Sequence, residues 1–217
     1  MLALRTRPRL PLSGLYALTP DCADTARLVT QVRAALGGGA SAIQYRNKTA
    51  ATALRLAQAQ ALRDACSRQG AAFIVNDDVE LADMVGADGV HLGRDDGPIA
   101  EARKRLGPQA MVGVSCYDSL TRAEIAVGGG ADYIAFGSFF ASTVKPGAVR
   151  APMSLLTTAK ARWDVPVVAI GGITLENAPS IIAAGADAVA VITAVFAAPD
   201  IEASARALAA LFTPHVA

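Results

Sequence analysis

Val165-Pro-Val-Val-Ala-Ile-Gly-Gly-Ile-Thr174 is the stretch that decides the fold of this chain. Its run Val167–Ile170 is rich in β-branched residues, which is typical of a strand buried on both faces in a parallel sheet. Gly171 and Gly172 follow this strand, and Thr174 stands where a helix N-cap is expected. Glycines between a strand and a helix let the backbone approach an anion, which a helix N-terminus favours. The stretch therefore indicates an anion site, and a simple tight turn is the alternative.

A second unit of the same kind follows at Gly185-Ala-Asp-Ala-Val-Ala-Val-Ile-Thr193. It predicts another buried strand that ends in a polar residue. Two adjacent βα junctions of this kind look like the phosphate site that (β/α)8 barrels form after strands seven and eight. We therefore expect a phosphate group to bind where the two junctions meet.

Short apolar runs alternate with helical patterns along the whole chain, which indicates βαβ units and a parallel sheet. The predicted strands cover residues 15–18, 42–45, 72–75, 89–92, 111–114, 133–136, 167–170 and 188–192. The predicted helices cover residues 25–36, 50–68, 79–85, 99–106, 120–127, 153–162, 175–184 and 201–212. A flavodoxin-like open sheet is the competing architecture. Eight strands with an anion signal at the last two favour a single (β/α)8 TIM barrel over residues 14–213, preceded by a flexible arm over residues 1–13.

A glycine-alanine-polar triplet precedes each even-numbered strand, at Gly39-Ala-Ser41, Gly86-Ala-Asp88, Gly130-Ala-Asp132 and Gly185-Ala-Asp187. The glycine is placed to end the preceding helix in a left-handed conformation, and the polar residue to bridge into the strand. The repeat predicts a doubled βα unit used four times, and it indicates nothing about chemistry.

Composition excludes several classes of protein. The chain has 217 residues and is 53% hydrophobic, so it can bury a sizeable core. Its net charge of +1 argues against a nucleic-acid surface or an acidic tail. No run approaches the ~18 apolar residues of a membrane span. Cys22, Cys66 and Cys116 have neither disulfide nor metal-ligand spacing, which is typical of reduced thiols. We therefore expect a cytoplasmic protein that acts on small molecules and binds neither nucleic acid nor membrane.

Polar residues follow predicted strand two, in the stretch Gln44-Tyr-Arg-Asn-Lys48. Gln44, Arg46 and Lys48 alternate with period two, so in extended backbone their side chains point the same way. One amide and two cations at a barrel mouth suit an anion with several oxygens, such as a diphosphate. The alternative is a solvated strand end with exposed ion pairs.

Two carboxylates follow neighbouring strands, Asp77 after strand three and Asp96 after strand four. Carboxylates that meet in a dry pocket repel each other unless they share a proton or a cation. Mg²⁺ is the natural partner, because it binds one or two carboxylates together with substrate phosphates. The alternative is a helix cap, a role that suits the neighbouring Asp78 at least. Asp95 is expected to lie outside the metal shell.

Lys145 lies in the long loop of residues 137–147 after predicted strand six. Loops that close a barrel mouth can exclude water from a reactive intermediate, and a solvated surface lysine is the alternative. His91 has polar neighbours, but the other histidine, His215, is in the C-terminal tail. A Ser-His-Asp nucleophile system is therefore not expected.

Together and in order, these motifs resemble those of the thiamine-phosphate synthase family, whose barrel enzymes join the pyrimidine and thiazole halves of thiamine. The resemblance covers residues 14–212 and rests on Gln44-x-Arg46-x-Lys48, Val75-Asn-Asp-Asp-Val-Glu-Leu-Ala82, Asp88-Gly-Val-His-Leu-Gly93 with Asp96, Gly113-Val-Ser115 and Gly171-Gly-Ile-Thr174. It implies a Mg²⁺-dependent transferase in which the nitrogen of a thiazole phosphate displaces diphosphate from hydroxymethylpyrimidine diphosphate.

The resemblance also implies a role for each matching residue. Lys145, Ser115 and Arg46 would be catalytic, and Asp77 and Asp96 would hold Mg²⁺. The pyrimidine diphosphate would be held by Gln44, Tyr45, Arg46, Asn47, Lys48, Asn76, Ser115 and Lys145. The thiazole phosphate would be held by Ser142, Thr143, Val144, Gly172, Ile192 and Thr193. The family loop commonly carries threonine where this chain has Val144, which removes one hydroxyl.

Three other functions stay open at this stage. They are a thiazole tautomerase-like barrel, a Schiff-base aldolase that uses Lys145 or Lys48, and a non-catalytic phosphate-binding barrel with a regulatory role. The complete set of diphosphate and metal residues favours the synthase, since binding alone needs no metal-assisted leaving group. A homo-oligomer also stays open, because the sequence does not determine the oligomeric state.

Overall fold

The computed structural model describes residues 12–141 and 149–212, which contain alternating strands and helices. The strands are β1 (Gly14–Leu18), β2 (Ala42–Tyr45), β3 (Ala72–Asn76), β4 (Gly89–Leu92), β5 (Met111–Tyr117), β6 (Tyr133–Phe136), β7 (Val167–Ile170) and β8 (Ala188–Val191). The helices are α1 (Thr25–Gly37), α2 (Thr52–Gln69), α3 (Val79–Val85), α4 (Ile99–Leu106), α5 (Leu120–Gly128), α6 (Ser154–Arg162), α7 (Ala178–Ala183), α8 (Thr193–Phe196) and α9 (Ile201–Ala210).

The strands are parallel and pair in chain order, and β1 also pairs with β8. At this closure Leu15 of β1 lies beside Val189 of β8. An open sheet leaves its edge strands unpaired, so this pairing excludes the flavodoxin-like alternative. The predicted (β/α)8 barrel is confirmed.

Two predicted boundaries are wrong at the junctions after β7 and β8. Helix α7 begins at Ala178, so Thr174 is not its N-cap; the N-cap position belongs to Asn177, whose Oδ1 accepts a hydrogen bond from the Thr174 N–H at 2.9 Å. Strand β8 ends at Val191, and Ile192 is the N-cap residue of α8, which the sequence pattern did not predict. A helix as short as α8 spans one turn and therefore produces no hydrophobic period.

Alternate residues along each strand face the inside of the barrel and fill it with a small apolar cluster, as the two-residue period of a strand requires. This cluster consists of Leu12, Tyr16, Leu18, Ala42, Ile74, Met111, Tyr133, Ala135, Val168, Ala188 and Ala190. The larger apolar layer lies between the strands and the surrounding helices. Polar side chains at the top of the inner layer therefore open onto the carboxyl ends of the strands.

The triplets before the even-numbered strands connect each pair of βα units. Their glycines have positive φ angles of 96°, 63°, 85° and 107° at Gly39, Gly86, Gly130 and Gly185. A carboxylate oxygen then accepts a backbone N–H of the preceding odd strand, at 2.8 Å for Asp88 with Phe73, 2.7 Å for Asp132 with Val112 and 2.8 Å for Asp187 with Val167. Ser41 differs only in donating its hydroxyl to the Leu15 carbonyl. The repeat is structural, as predicted.

The structure bears on two features considered from composition, membrane-spanning segments and the state of the cysteines. Among the described residues, no helix has the length and apolar character that crossing a membrane requires. Cys22, Cys66 and Cys116 form no disulfide. Burial raises the pKa of the Cys66 and Cys116 thiols to about 12, so both stay protonated and unreactive at neutral pH.

Candidate active site

Two adjoining cavities open at the carboxyl ends of the strands, where barrel enzymes place their chemistry. The larger, of about 390 Å³, is lined by predicted site residues from several strand ends, namely Gln44, Arg46, Asn76, Ser115, Gly172, Ile192 and Thr193. The other, of about 380 Å³, is lined by Tyr45, Arg46, Asn47, Lys48, Arg55, Val75, Asn76, Asp77 and Asp78. Arg46 and Asn76 line both, so the two cavities belong to one mouth.

The first of the cations, Arg46, is held at the border between the cavities. Its backbone makes two hydrogen bonds of 2.9 Å with the hydroxyl of Thr19, one through its N–H and one through its carbonyl. Its Nη1 lies 3.4 Å from Oδ1 of Asp21, and its side chain is only 17% exposed. The guanidinium is therefore partly desolvated, which strengthens its attraction for an anion.

The second cation, Lys48, does not share the direction that period two predicts for it. Strand β2 ends at Tyr45, and the loop after it turns so that the Lys48 N–H donates to Oδ1 of Asp21 at 2.7 Å. Lys48 consequently lines the smaller cavity, whereas Gln44 lines the larger one and Arg46 lines both. The predicted common face therefore holds for Gln44 and Arg46 and fails for Lys48.

Tyr45 and Asn47, which alternate with Gln44, Arg46 and Lys48 in the sequence, form hydrogen bonds with other residues of the protein. The Tyr45 hydroxyl donates to Oε1 of Gln58 at 2.8 Å. The Asn47 amide donates to the Cys22 carbonyl at 2.7 Å and to Gln58 Oε1 at 3.0 Å. These bonds support the loop that carries Arg46 and Lys48, and a direct contact of either residue with substrate stays a prediction.

The predicted carboxylate pair does come together. Burial and then the hydrogen-bonded, negatively charged Asp96 raise the pKa of Asp77, while Lys48 opposes them, its Nζ lying 3.7 Å from Oδ2 of Asp77. Asp77 has a φ of 64°, and its N–H donates to the His91 carbonyl at 2.8 Å. A left-handed conformation at a non-glycine residue costs about 1–3 kcal/mol and persists where its surroundings enforce it. Asp77 therefore combines an unfavourable backbone conformation with a carboxyl group that is hydrogen-bonded to Asp96.

The donor set of this pair fits Mg²⁺. Within residues 12–141 and 149–212, no three His, Cys, Asp or Glu side chains converge as an all-protein metal cage would require. Mg²⁺ does not need such a cage, because it usually takes one or two carboxylates and completes its shell with water and phosphate oxygens. Asp78 is occupied elsewhere: it accepts the Leu81 N–H at 2.8 Å as the α3 cap and pairs with Arg55 at 2.7 Å.

The anion site predicted after β7 has the backbone shape that it needs. Gly171 and Gly172 have φ angles of 102° and 66°, in the region that favours glycine. A Cβ added at Gly172 would overlap the carbonyl oxygen of Ala141. The Asn177 amide also donates to the Gly172 carbonyl at 3.0 Å. The predicted phosphate cradle between β7 and β8 consists of Gly172, Ile192 and Thr193, which all line the larger cavity. Phosphate binding there stays a prediction.

His91 contacts the predicted site residue Ser115, which the sequence did not reveal. Its Nε2 lies 2.8 Å from the Ser115 hydroxyl, and its Nδ1 lies 3.0 Å from the hydroxyl of Tyr133. Burial lowers the pKa of His91 to about 4, so the imidazole is neutral at pH 7. A Ser-His-Asp system has a carboxylate at Nδ1, whereas this histidine meets a phenol there. His91 and Ser115 therefore lack the carboxylate partner of a Ser-His-Asp system.

Several lining residues come from loops or from the barrel interior and were not predicted. Tyr117 follows a register shift at the end of β5 and has a φ of 56°. The guanidinium of Arg94 lies 5.0 Å from the centre of its ring, and that of Arg122 lies 5.3 Å from it, both within cation–π range. The register shift at the end of β5 changes the direction of the Tyr117 side chain. Such irregularities have no reliable signal in the sequence, so Tyr117 was not predicted as a lining residue.

Ser142, Thr143, Val144 and Lys145 lie outside the described residues, so their predicted roles are not placed by the structure.

The family model for thiamine monophosphate synthase matches residues 15–195, which include every residue lining the two cavities. The chain belongs to the thiamine monophosphate synthase family. Its relatives in this family include the thiamine-phosphate synthase of Azoarcus sp. (strain BH72), which is 56% identical over 93% of this chain and 98% of its own. The thiamine-phosphate synthase of Thiobacillus denitrificans is 54% identical over 96% of this chain and 97% of its own.

A solved structure supports the same assignment to the thiamine monophosphate synthase family. Thiamine phosphate pyrophosphorylase from Pyrococcus furiosus is 37% identical, superposes with a TM-score of 0.81, and is matched over 92% of this chain and 95% of its own. The fold and the family are thereby established on nearly the whole chain.

Proposed function

We propose that this chain is a thiamine-phosphate synthase, a transferase that joins hydroxymethylpyrimidine diphosphate to thiazole phosphate and releases diphosphate. One observation carries the proposal: a cation and carboxylate pocket after β2 and β3 shares a mouth with a glycine cradle after β7. Arg46 and Asn76 line both cavities, and Gly172 lies in the larger one. A diphosphate and a second phosphate can therefore bind at opposite sides of one reaction space. The names of the relatives support the same activity.

The reaction breaks one bond and forms another at a single carbon. The C–O bond between the pyrimidine methylene and the diphosphate breaks, and its electron pair leaves with the diphosphate. The thiazole nitrogen donates its lone pair to form the new C–N bond, so the attacking atom needs no general base. The neutral, buried His91 is consistent with such a reaction, because it has no carboxylate on Nδ1 to make it a strong base.

The cations and the carboxylate pair act on the leaving group. Arg46 and Lys48 would stabilise the negative charge that grows on the diphosphate as the C–O bond breaks. Asp77 and Asp96 would hold Mg²⁺, which when bound supplies further positive charge to the diphosphate oxygens. The raised pKa of Asp77 supports this assignment, because a cation would relieve the repulsion between the two carboxyl groups.

The remaining predicted roles belong to the same proposal. Gly172, Ile192 and Thr193 would bind the thiazole phosphate at the cradle, together with Ser142, Thr143 and Val144. Lys145 would offset the negative charge that grows on the leaving diphosphate. A cytoplasmic location is also proposed, supported by the three unpaired cysteines.

Lys48 is a poor candidate for Schiff-base chemistry. A lysine that forms a Schiff base is desolvated or lies beside another cation. The side chain of Lys48 is 55% exposed and faces the Asp77 carboxylate instead. Borohydride treatment in the presence of either substrate should therefore leave the mass of the protein unchanged.

Formation of thiamine phosphate from the two purified substrates tests the proposal directly. We expect product and diphosphate in equal amounts when both substrates and Mg²⁺ are present, and neither when one substrate is omitted. Absence of product at saturating concentrations of both substrates would refute the assignment, and a covalent adduct after borohydride treatment would point to the aldolase alternative.

Lys48→Ala should weaken use of the pyrimidine diphosphate far more than use of the thiazole phosphate. A charge-assisted contact to phosphate contributes about 1.5–3 kcal/mol, so KM for the diphosphate should rise about tenfold or more. Steady-state kinetics with each substrate varied in turn will measure the effect, with Lys104→Ala on the exposed face of α4 as the matched control. A small, equal change for both substrates would return Lys48 to the solvated-surface interpretation.

Val144→Thr should change little, although the family commonly has threonine there. We expect position 144 to serve the thiazole phosphate through its backbone N–H, which valine supplies as well as threonine. The KM for thiazole phosphate should therefore change less than about fivefold, which is below ~1 kcal/mol. An increase in activity by orders of magnitude would instead mark this chain as an impaired or repurposed synthase.

A further inference from the structure

A chain of hydrogen bonds crosses the inside of the barrel and ends at the larger cavity. Gln44 Nε2 donates to the Tyr16 hydroxyl at 2.7 Å, and the hydroxyls of Tyr16 and Tyr133 lie 3.0 Å apart. The Tyr133 hydroxyl lies 3.0 Å from Nδ1 of His91, whose Nε2 lies 2.8 Å from the Ser115 hydroxyl. Five strands thus contribute one side chain each to a single path.

Burial and packing hold this path in one arrangement. Tyr133 is completely buried, Tyr16 and Gln44 are 1% and 2% exposed, and His91 is 8% exposed. The ring of Tyr133 lies against Gly113, where any Cβ would overlap it, and it stacks on His91 with centroids 5.6 Å apart. Away from water, each of these polar groups depends on its neighbour in the path for a hydrogen-bond partner.

The first bond of the path favours one direction for all the others. An amide nitrogen only donates, so the Tyr16 oxygen accepts from Gln44. Either phenol can donate in the bond between Tyr16 and Tyr133, and the arrangement that gives every hydrogen of the path an acceptor within the path is the one in which Tyr16 donates to Tyr133. Tyr133 then gives its own hydrogen to Nδ1 of His91. A neutral imidazole that accepts at Nδ1 carries its proton on Nε2 and donates it to Ser115.

We propose that this path holds His91 in the Nε2–H tautomer and so obliges Ser115 to donate its hydroxyl hydrogen into the cavity. Ser115 then recognises an acceptor on the substrate, either a ring nitrogen or a diphosphate oxygen; the identity of that acceptor rests on the proposed function. The direction is the reverse of a Ser-His-Asp system, in which Nε2 takes the serine proton. Ser115 is consequently a donor and not a nucleophile, and Tyr16 and Tyr133 are positioning residues.

Nitrogen NMR of the full-length chain, without substrate, tests the tautomer. The sequence has two histidines, so ¹⁵N-histidine labelling of the His215→Gln variant leaves His91 as the only signal. At pH 7 we expect a protonated nitrogen at Nε2 and an unprotonated, hydrogen-bonded nitrogen at Nδ1. A proton on Nδ1, or on both nitrogens, would overturn the proposal. Because no substrate is present, this result is independent of whether the chain makes thiamine phosphate.

Two variants identify what sets the tautomer. Ser115→Ala removes the acceptor of the path, and its spectrum should keep the Nε2–H form because Tyr133 still donates to Nδ1. Tyr133→Phe removes that donor, and a population of the Nδ1–H form should appear. In the synthase assay Tyr133→Phe should lower kcat about tenfold, the scale of one lost hydrogen bond, and leave KM for thiazole phosphate within about twofold. A tautomer that follows Ser115 instead of Tyr133 would refute the proposed direction, even if Tyr133→Phe failed to fold.

Discussion

Asp77→Asn and Asp96→Asn should each lower the turnover of thiamine phosphate synthesis about 100-fold or more, because a lost ligand to Mg²⁺ weakens stabilisation of the leaving diphosphate in the transition state. Asparagine keeps the shape of aspartate and removes its charge. The rate should be measured over a wide range of Mg²⁺ concentrations, where both variants should require more metal than the wild type. Asp95→Asn is the matched control, since Asp95 precedes Asp96 and is exposed. Near-normal turnover of both variants, or full activity after exhaustive chelation, would exclude a metal at this pair.

Asp77→Asn should lower the activity without lowering the stability of the metal-free protein. The pKa of Asp77 is raised above its ordinary value of 3.8 by burial and by Asp96, so its ionised form opposes folding. Because the pKa of Asp77 is higher in the folded than in the unfolded protein, the protonated carboxyl group stabilises the fold below pH 3.8. This contribution to the free energy of unfolding is lost as the pH rises through the pKa of the folded state. In metal-free protein at pH 7, Asp77→Asn should therefore melt at or above the wild-type temperature. A lower melting temperature would mean that the Asp77 carboxylate contributes to the fold.

Gly172→Ala should raise KM for the thiazole phosphate roughly 100-fold or more, which corresponds to about 3 kcal/mol. Alanine is strained at the Gly172 φ of 66°, and its Cβ would overlap the carbonyl oxygen of Ala141 and the backbone of Phe140. These atoms belong to the neighbouring loop, so the cradle itself must shift. KM for the pyrimidine diphosphate should change less than about threefold, below ~1 kcal/mol, because the residues proposed to hold its diphosphate, Arg46 and Lys48, follow β2 and not β7.

Gly130→Ala is the matched control for this variant. Gly130 also has a positive φ, 85°, but a Cβ there has no neighbour within 4 Å, and the residue precedes β6 at the opposite end of the barrel. It should lose about 1 kcal/mol or more of folding free energy, the cost of a left-handed alanine, and keep both KM values. Equal effects of the two substitutions on thiazole phosphate would mean that strain alone, and not the cradle, explains the result.

Most of the fold could be predicted because its signals are local. The parallel strands are short runs of apolar residues, and each of the eight begins within one residue of its predicted start. The barrel order follows from that alternation together with the anion signal after β7. The main boundary errors fall on Thr174, on α8 and on the end of β5, which was predicted at residue 114 and lies at Tyr117. A one-turn helix and a strand with a shifted register have no regular period to detect.

The candidate site was predicted less completely than the fold. Arg46, Asn76 and Gly172 lie at the mouth because the carboxyl ends of all barrel strands meet there. Their positions just after predicted strands were therefore enough to place them at the mouth. Lys48 was expected beside Gln44, but β2 ends before it and the loop bonds to Asp21. The conformation of a loop depends on partners that are distant in sequence, so no periodic rule predicts it.

By itself, the sequence determined the kinds of elements in this protein, their order and the chemical groups available at the strand ends, since each depends on neighbouring residues. Only the tertiary structure decided which of those groups meet. Tyr16 and Tyr133 are separated by 117 positions, and their hydroxyls touch because β1 and β6 face each other across a closed barrel. His91 likewise contacts Ser115 through the register of β4 beside β5. Barrel closure and strand register arise from contacts distributed over the whole chain, and no single segment encodes them.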